Sequence, residues 1–271
     1  MTFPKSIQAG FAAIASVAAM SCAHAAPVVL LGNDGSANGS VVAGSTPVVV
    51  RSAFLGSLSS YRTENFEAAA ALGMPTPTSL SVFGGGGTLT QTQAAADGGI
   101  RVRGQVENRK FMDDGNGGSI FPGRFNTSSA ANASKWWDTA SAFEISLTTR
   151  FSAFGFYGTD FGDFDGTLKI DLFDGVAKVR SDVEVGPYPG TNGSLLFFGF
   201  IDDQFNFDKI VFNVAQLTPG QPNTFDRLGF DDLIVGQRQV TGGTVPEPTS
   251  LALVGLSLAL LGYSRRRKSV V

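Results

Sequence analysis

The sequence predicts an all-β protein, an antiparallel two-sheet β-sandwich over residues 26–241, with an N-terminal signal helix and a C-terminal hydrophobic helix. Apolar and polar residues alternate with a period of two at 142–148 (AFEISLT) and 167–173 (TLKIDLF), which is typical of strands with one buried face. Turn dipeptides such as Asp174-Gly175 lie between these segments and accept the positive φ of tight hairpins. Two stacked sheets would bury one face of every strand.

The strand candidates follow one another along the chain, and 34 glycines and 23 phenylalanines supply turns and core side chains. A short helix is predicted over 64–72, capped by Thr63, because this segment is rich in alanine. Loops are predicted at 84–87 and 113–134. The predicted strands are 48–55, 79–83, 87–93, 100–106, 142–149, 151–157, 167–173, 176–184, 195–200, 208–214 and 229–235.

The first 25 residues contain the three parts of a signal peptide. Lys5 supplies a positive charge, residues 7–20 are apolar, and residues 23–25 (AHA) form a small-x-small cleavage sequence. We therefore predict that residues 1–25 direct export and are removed. Cys22 raises the alternative of a lipoprotein, although the residues before it lack the leucine expected three positions before a lipidated cysteine.

The end of the chain predicts a membrane-spanning segment. A linker at 242–245 leads to a Pro-Glu-Pro turn that cannot continue a helix, Val245-Pro246-Glu247-Pro248. The apolar segment 249–264 follows as a predicted transmembrane helix, about 24 Å long at roughly 1.5 Å per residue. The basic residues Arg265, Arg266, Arg267 and Lys268 then stop the transfer of the chain through the membrane. They are predicted to stay in the cytoplasm, which places the body of the protein on the other side of the membrane. A permanent single-span anchor is the alternative.

This order of features over 246–271 resembles the PEP-CTERM sorting signal of Gram-negative bacteria. The resemblance implies that a membrane exosortase recognises the tail and removes it. The protein would then pass from a transient inner-membrane anchor to the cell surface or the extracellular medium. Proteins with such tails often accompany exopolysaccharide production, which implies a place in the biofilm matrix.

The composition of the body excludes several kinds of chemistry. The only cysteine, Cys22, and the only histidine, His24, both lie in the predicted signal peptide. A mature body without them has no disulfide, no thiolate nucleophile, no Ser-His-Asp triad and no zinc site built on these residues. Of 20 cations and 23 acids, Lys5, the four tail cations and Glu247 lie outside the body, which leaves 15 against 22 and a net charge of −7. This acidic balance argues against nucleic acid as a partner.

Two segments far apart in the chain predict a calcium site. Residues 65–67 (NFE) and 230–232 (FDD) resemble jelly-roll carbohydrate-binding domains, in which such residues meet around a structural calcium ion. The resemblance implies a jelly-roll-like sandwich with Glu67 and one of Asp231 or Asp232 as ligands. Carboxylates together with backbone carbonyls can supply the roughly six to eight oxygens that calcium takes. The alternative is that Asp231 and Asp232 form a bulge or turn before an edge strand.

Three further carboxylates lie close together in the chain, at Asp160, Asp163 and Asp165. Segments similar to 154–160 (FGFYGTD) are frequent in ectodomains that carry this kind of tail. Carboxylates this close repel one another unless they are solvated, hydrogen-bonded or bridged by a cation. We predict a surface turn in which these side chains cap backbone N–H groups, with a metal site as the alternative.

The adjacent residues Trp136 and Trp137 are candidates for carbohydrate binding. Neighbouring residues of a strand point to opposite faces, so one tryptophan is predicted in the core and the other on the surface. An exposed indole can act as a platform on which a sugar ring stacks. The alternative is that the outward tryptophan packs under the predicted loop 113–134.

The sequence as a whole predicts a secreted or surface protein with a structural or binding role in the extracellular polysaccharide matrix. A calcium-dependent carbohydrate-binding module is one alternative. A glycoside hydrolase is the other, with Glu107, Glu144 or Glu184 paired with an aspartate. No such pair stands out in the sequence, and we do not predict an enzyme.

Overall fold

The computed structural model of the chain describes residues 26–35, 41–69, 79–92, 105–107, 124–128, 135–139, 142–162, 166–186, 193–216 and 228–240. The predicted signal peptide (1–25), linker (242–245) and sorting signal (246–271) lie outside the described residues. Within the described ranges, no helix is both long enough and apolar enough to cross a membrane.

Thirteen strands form in the described part of the chain, and helix α1 (Thr46–Gly56) lies between the first and the second. The strands are β1 (Val28–Asn33), β2 (Leu58–Glu64), β3 (Ser79–Val82), β4 (Gly87–Gln91), β5 (Gln105–Glu107), β6 (Trp136–Thr139), β7 (Phe143–Phe151), β8 (Ala153–Thr159), β9 (Gly166–Asp174), β10 (Ala177–Val185), β11 (Leu195–Ile201), β12 (Phe207–Gln216) and β13 (Leu228–Arg238).

Two antiparallel sheets stack into the predicted β-sandwich. Sheet 1 has the strand order β1-β11-β8-β13-β6-β5, and β2 also pairs with β13. Sheet 2 has the order β10-β9-β12-β7-β4-β3. The predicted hairpin at Asp174-Gly175 is confirmed, because Asp174 pairs with Ala177 and Gly175 has a φ of 60°.

Phenylalanine side chains from both sheets fill the space between them. The ring of Phe143 stacks on that of Phe212 with centroids 4.2 Å apart, and it meets the edge of Phe230 at 5.1 Å. Offset-stacked and edge-to-face pairs of this kind add to the stabilisation that comes from burying the rings. The alternating phenylalanines of the sequence are therefore the core of the sandwich.

The outer face of sheet 1 is covered by α1. Gly155 of β8 pairs with Gly199 of β11, and the fully buried ring of Phe54 from α1 packs on this pair. A Cβ atom at Gly199 would lie 2.6 Å from Cδ2 of Phe54, and one at Gly155 would lie 3.1 Å from its Cε1. The absence of side chains at these two glycines thus lets the helix pack closely against the sheet.

The predicted strand at 48–55 is wrong, because this segment is part of α1. Ser45 is extended at the N-cap, and Pro47 lies in the first turn, where a missing N–H leaves no helical hydrogen bond unmade. The valines at 48–50 favour a strand locally, but the packing of Phe54 against the two glycines of sheet 1 favours the helix.

The predicted helix over 64–72 does not begin at Glu64, which is the last residue of β2. The carboxylate of Glu64 accepts hydrogen bonds from the N–H groups of Phe66 at 2.7 Å and Phe83 at 2.6 Å. Phe66 has a φ of 59°, which is incompatible with a right-handed helix. The prediction is therefore wrong for the described residues 64–69.

Replacing Gly199 by alanine should destabilise the protein by about 1–3 kcal/mol, because the added methyl group overlaps Phe54. Gly56→Ala is the matched control, since a Cβ atom there meets nothing within 4 Å and alanine favours a helix. Denaturant unfolding followed by circular dichroism measures both changes. Equal midpoints for Gly199→Ala and the wild type would contradict the role of the glycine pair.

Candidate functional site

A β-bulge at Asp231 and Asp232 interrupts β13 in the middle of sheet 1. The register between β13 and β8 shifts between Asp231 and Ile234, and Asp232 has a φ of 45°. Because the bulge adds a residue, Phe230 and Leu233 both face the core although they are three positions apart. The bulge alternative is confirmed, but the strand is central and not at an edge.

The bulge buries the carboxylate of Asp231, which is 0% exposed and holds the loop 124–128. Its Oδ2 atom accepts hydrogen bonds from Thr127 N at 2.6 Å, Thr127 Oγ1 at 3.1 Å, Asn126 Nδ2 at 3.1 Å and Ser128 N at 3.3 Å. Its Oδ1 atom accepts one from Asp232 N at 2.7 Å. This carboxylate is thus surrounded by donors.

Glu67 joins the same network from the end of β2. Its Oε1 atom accepts hydrogen bonds from Lys135 N at 2.7 Å and from Asn126 Nδ2 at 3.2 Å. The ammonium group of Lys135 donates to the carbonyl oxygens of Glu67 at 2.9 Å and Ala69 at 2.6 Å. Asn126 therefore bridges Glu67 and Asp231, two residues that the sequence predicts to lie together.

This donor set does not fit a calcium ion in the arrangement observed. A cation needs free oxygen lone pairs, but the oxygens of Asp231 and Oε1 of Glu67 accept N–H and O–H groups. The ammonium group of Lys135 already supplies a positive charge beside the site, where it donates to the carbonyl oxygen of Glu67. Among the described residues, no group of three or more His, Cys, Asp or Glu residues could hold a metal ion.

Asp232 faces a different set of groups from Asp231. Its Oδ2 atom lies 3.7 Å from Nη2 of Arg51, and the guanidinium of Arg51 lies 5.5 Å from the ring centroid of Tyr157. Burial raises the pKa of Tyr157 to about 12, an effect that Arg51 opposes and Asp232 reinforces. Asp232 is therefore not placed with Glu67 as a ligand.

Both aspartates of the bulge are costly to ionise. Burial, and then the charge of Asp232, raise the pKa of Asp231 well above its ordinary value, while the N–H groups of Thr127 and Asp232 oppose the rise. Burial also raises the pKa of Asp232, and Arg51 opposes it. Each group therefore stabilises the fold most when protonated, and this stability is lost as the pH rises through the folded-state pKa.

A second buried network joins Asp160 to the same loop. Nη1 of Arg124 lies 3.3 Å from Oδ2 of Asp160, and Nε of Arg124 lies 3.2 Å from Oδ1 of Asp138. Asp160 is 2% exposed, and its Oδ1 atom accepts a hydrogen bond from Gly193 N at 3.2 Å. The predicted surface turn is therefore wrong for Asp160, and the other two carboxylates lie outside the described residues.

The predicted tryptophan platform is wrong, because Trp136 and Trp137 are both 0% exposed. Trp137 belongs to the core between the sheets, where it contacts Phe143 at a centroid distance of 6.0 Å. Cδ1 of Trp136 and Cβ of Arg124 both lie within 3.5 Å of the position that a Cβ atom would take at Gly229. The alternative, in which the second tryptophan is covered near the loop, agrees with this arrangement.

The outer face of sheet 2 carries a row of five polar side chains and one aromatic side chain that crosses all six strands. The strand register places these residues side by side, one from each strand: Ser81, Thr88, Ser146, Lys209, Phe173 and Lys178. We refer to these six residues as the cross-strand row. At about 4.8 Å per strand the row is roughly 24 Å long. Its side chains are exposed or half-buried.

Phe173 gives the cross-strand row an aromatic centre. The ammonium groups of Lys209 and Lys178 lie 4.6 Å and 5.5 Å from its ring centroid. The Nζ atom of Lys178 also lies 2.7 Å from the carboxylate of Asp171, which accepts a hydrogen bond from Asn213 Nδ2 at 3.2 Å. None of the six residues in the cross-strand row was predicted from the sequence as part of a site, although the polar positions of the alternating strands were the available signal.

Asp232→Asn should raise the melting temperature by about 2–4 °C at pH 7 and by less than that near pH 4. The substitution removes a buried charge that raises the pKa of Asp231, and asparagine tolerates the positive φ. Thermal unfolding across this pH range measures the difference. The exposed Asp203→Asn should show no such trend, and a lower melting temperature for Asp232→Asn at pH 7 would contradict the interpretation.

Comparison with solved structures finds three similar chains. The K2 cleaved adhesin domain of Lys-gingipain has 12% identity and a TM-score of 0.39, with 66% of this chain and 99% of that chain covered. A mutant of the family 29 carbohydrate-binding module CBM29-2 has 14% identity and a TM-score of 0.26, covering 60% and 95%. The CBM51-2 and INT domains of Clostridium perfringens ZmpB have 11% identity and a TM-score of 0.26, covering 55% and 28%. At these values no function is transferred to this chain.

Comparison with curated proteins gives no match. Comparison with family models gives one match outside the described residues, at the C-terminal end of the chain. Residues 244–268 match the family described as the PEP-CTERM protein-sorting motif. This match includes the Pro-Glu-Pro triplet, the apolar segment and the basic residues that follow it. The chain therefore carries a PEP-CTERM sorting motif at its C-terminal end.

Proposed function

We propose that the protein is exported, processed by an exosortase and displayed at the surface of a Gram-negative cell, where its sandwich binds extracellular polysaccharide. The sorting motif at 244–268 supports export and processing. The motif begins shortly after Arg238, the last residue of β13, so the folded body precedes the sorting signal in the chain. The tail serves as a membrane anchor only before its removal.

The cross-strand row is the observation that carries the binding proposal. A sugar ring offers an apolar face to an aromatic side chain and hydroxyl groups to amines, hydroxyls and carboxylates. Phe173 provides the aromatic surface, and Lys209 and Ser146 provide polar groups beside it on the next strands. A row of about 24 Å matches an extended chain of several sugar units better than a single small ligand.

Binding without catalysis fits the placement of the acidic residues. The aspartate in register with Glu144 is Asp171, two strands away across β12, which corresponds to roughly 10 Å at about 4.8 Å per strand. Its carboxylate already accepts hydrogen bonds from Lys178 and Asn213. The carboxylates of a glycosidase pair lie only about 5–9.5 Å apart. The buried carboxylates of Asp231 and Asp160 hold loops in place, so we propose a binding module and not a hydrolase.

Replacing Pro246, Glu247 and Pro248 by alanine should leave the protein unprocessed in the membrane fraction, because the exosortase would lose its motif. Immunoblots of membrane, surface and medium fractions from the producing cells measure the location and size of the protein. Ser250→Ala, in the same tail but outside the triplet, is the control. Normal processing of the triple variant would contradict the proposed sorting route.

Phe173→Ala should weaken polysaccharide binding at least about tenfold, the effect of losing about 1.4 kcal/mol of stacking and burial. Affinity electrophoresis in gels that contain dextran, xylan or alginate measures the change. Tyr61→Ala is the matched control, because Tyr61 is 51% exposed on β2 of the other sheet. Equal retardation of Phe173→Ala and the wild type, or equal loss in both variants, would contradict a site on sheet 2.

A further inference from the structure

The sandwich has several sheet edges, and most of them are protected against pairing with another strand. β10, at one edge of sheet 2, has two register shifts and carries charged residues, including Lys178 and Arg180. β3, at the other edge, has four residues, and β5 of sheet 1 has three. β2, which pairs with β13 beside β6, forms a further edge of sheet 1 and carries the charged residues Arg62 and Glu64. Bulges, charges and short length are the usual means by which proteins prevent edge-to-edge association.

β1, at the last edge of sheet 1 in the described part of the chain, has none of these protections. It pairs with β11 over six residues without a register shift, from Val28 opposite Ile201 to Asn33 opposite Leu196. Its sequence, VVLLGN, contains no charged residue and no proline. Among the residues that the structure describes, nothing pairs with the other side of β1, which presents an uninterrupted row of backbone donors and acceptors.

Exposed apolar side chains accompany this edge. Five of the nine exposed large hydrophobic side chains in the described part of the chain are valines between 28 and 49. Val28 and Val29 of β1 are 53% and 49% exposed, and Val49 of α1 is 55% exposed. Helix α1 lies against β1, because a Cβ atom at Gly32 would be 2.9 Å from Val50 Cγ2. The edge and the helix thus form one N-terminal surface.

The charge distribution favours a second copy of this chain as the occupant of that surface. Residues 26–63 contain Asp34, Arg51 and Arg62 as their only charged residues, whereas the body as a whole is strongly acidic. Two copies can therefore approach through this segment without the repulsion that their other surfaces would cause. Antiparallel pairing of one strand with itself is also the arrangement that a two-fold axis produces.

We propose that β1 pairs with β1 of a second molecule, so that sheet 1 continues across a two-fold axis in a dimer. Pairing satisfies the outer backbone groups of both strands, which have no partner among the described residues, and places the exposed valines of each β1 beside the far end of the partner's β1. The proposal is independent of the polysaccharide site, because β1 is in sheet 1 and the cross-strand row is in sheet 2.

Sedimentation of the full chain in mild detergent tests this proposal. The wild type should form a dimer, and Val29→Lys should weaken the dimer at least about tenfold, because a lysine in an edge strand opposes pairing with another strand. Val28→Lys provides a second variant at the same edge. Val176→Lys is the matched control, since Val176 is fully exposed at the β9–β10 turn and should leave the dimer intact.

Thiol cross-linking in the producing cells then locates the interface. A bismaleimide with a reach of about 10–15 Å should link two copies of Val29→Cys, because paired six-residue strands span only about 20 Å, but not two copies of Val176→Cys. A monomeric wild type overturns the proposal. So does a dimer that survives both lysine substitutions in β1, or cross-linking that is equal at the two cysteine positions.

Discussion

The buried carboxylate of Asp231 is the interaction on which the rest of sheet 1 depends. It lies in the last strand, which pairs with β8 on one side and with β6 and β2 on the other. A buried carboxyl group costs several kcal/mol unless hydrogen-bond partners replace the water that it loses. Loop 124–128 and Asp232 supply these partners, so the loop, the bulge and the central strand become ordered together.

In the same network, Glu67 and Asp231 lie together as the sequence predicts, but they accept hydrogen bonds where the resemblance implies calcium ligands. The resemblance to calcium-binding jelly rolls implies that Glu67 and Asp231 meet, and Asn126 joins them. Sequence similarity at two carboxylates contains no information about the donors that the intervening loop brings. Here the donors to the two carboxylates include backbone N–H groups of the loop and of Lys135, and the ammonium group of Lys135 donates to carbonyl oxygens beside them.

Local sequence patterns predicted most of the sandwich because alternation and glycine turns act over neighbouring residues, as in β9, β10 and their hairpin. The errors occurred where distant residues decide the structure. The 48–50 valines favour a strand, yet Phe54 fits a pair of glycines about 100 and 145 residues further along the chain. Asp160 was predicted on the surface because its partner Arg124 comes from a loop whose placement no local pattern predicts.

The proposed polysaccharide site and the proposed dimer contact lie on different parts of the sandwich. Helix α1 covers the outer face of sheet 1, whereas the cross-strand row lies on sheet 2 and the unprotected edge belongs to β1. Association through β1 would therefore leave the proposed polysaccharide site of both molecules in a dimer accessible. A polysaccharide repeats the sugar units that one site would bind. Once the first molecule of a dimer is bound, the second would bind the same polysaccharide chain at a high effective concentration. Two weak contacts would therefore give a dimer much tighter binding than one contact. A shallow polar face would then be adequate for the proposed binding of a matrix polysaccharide.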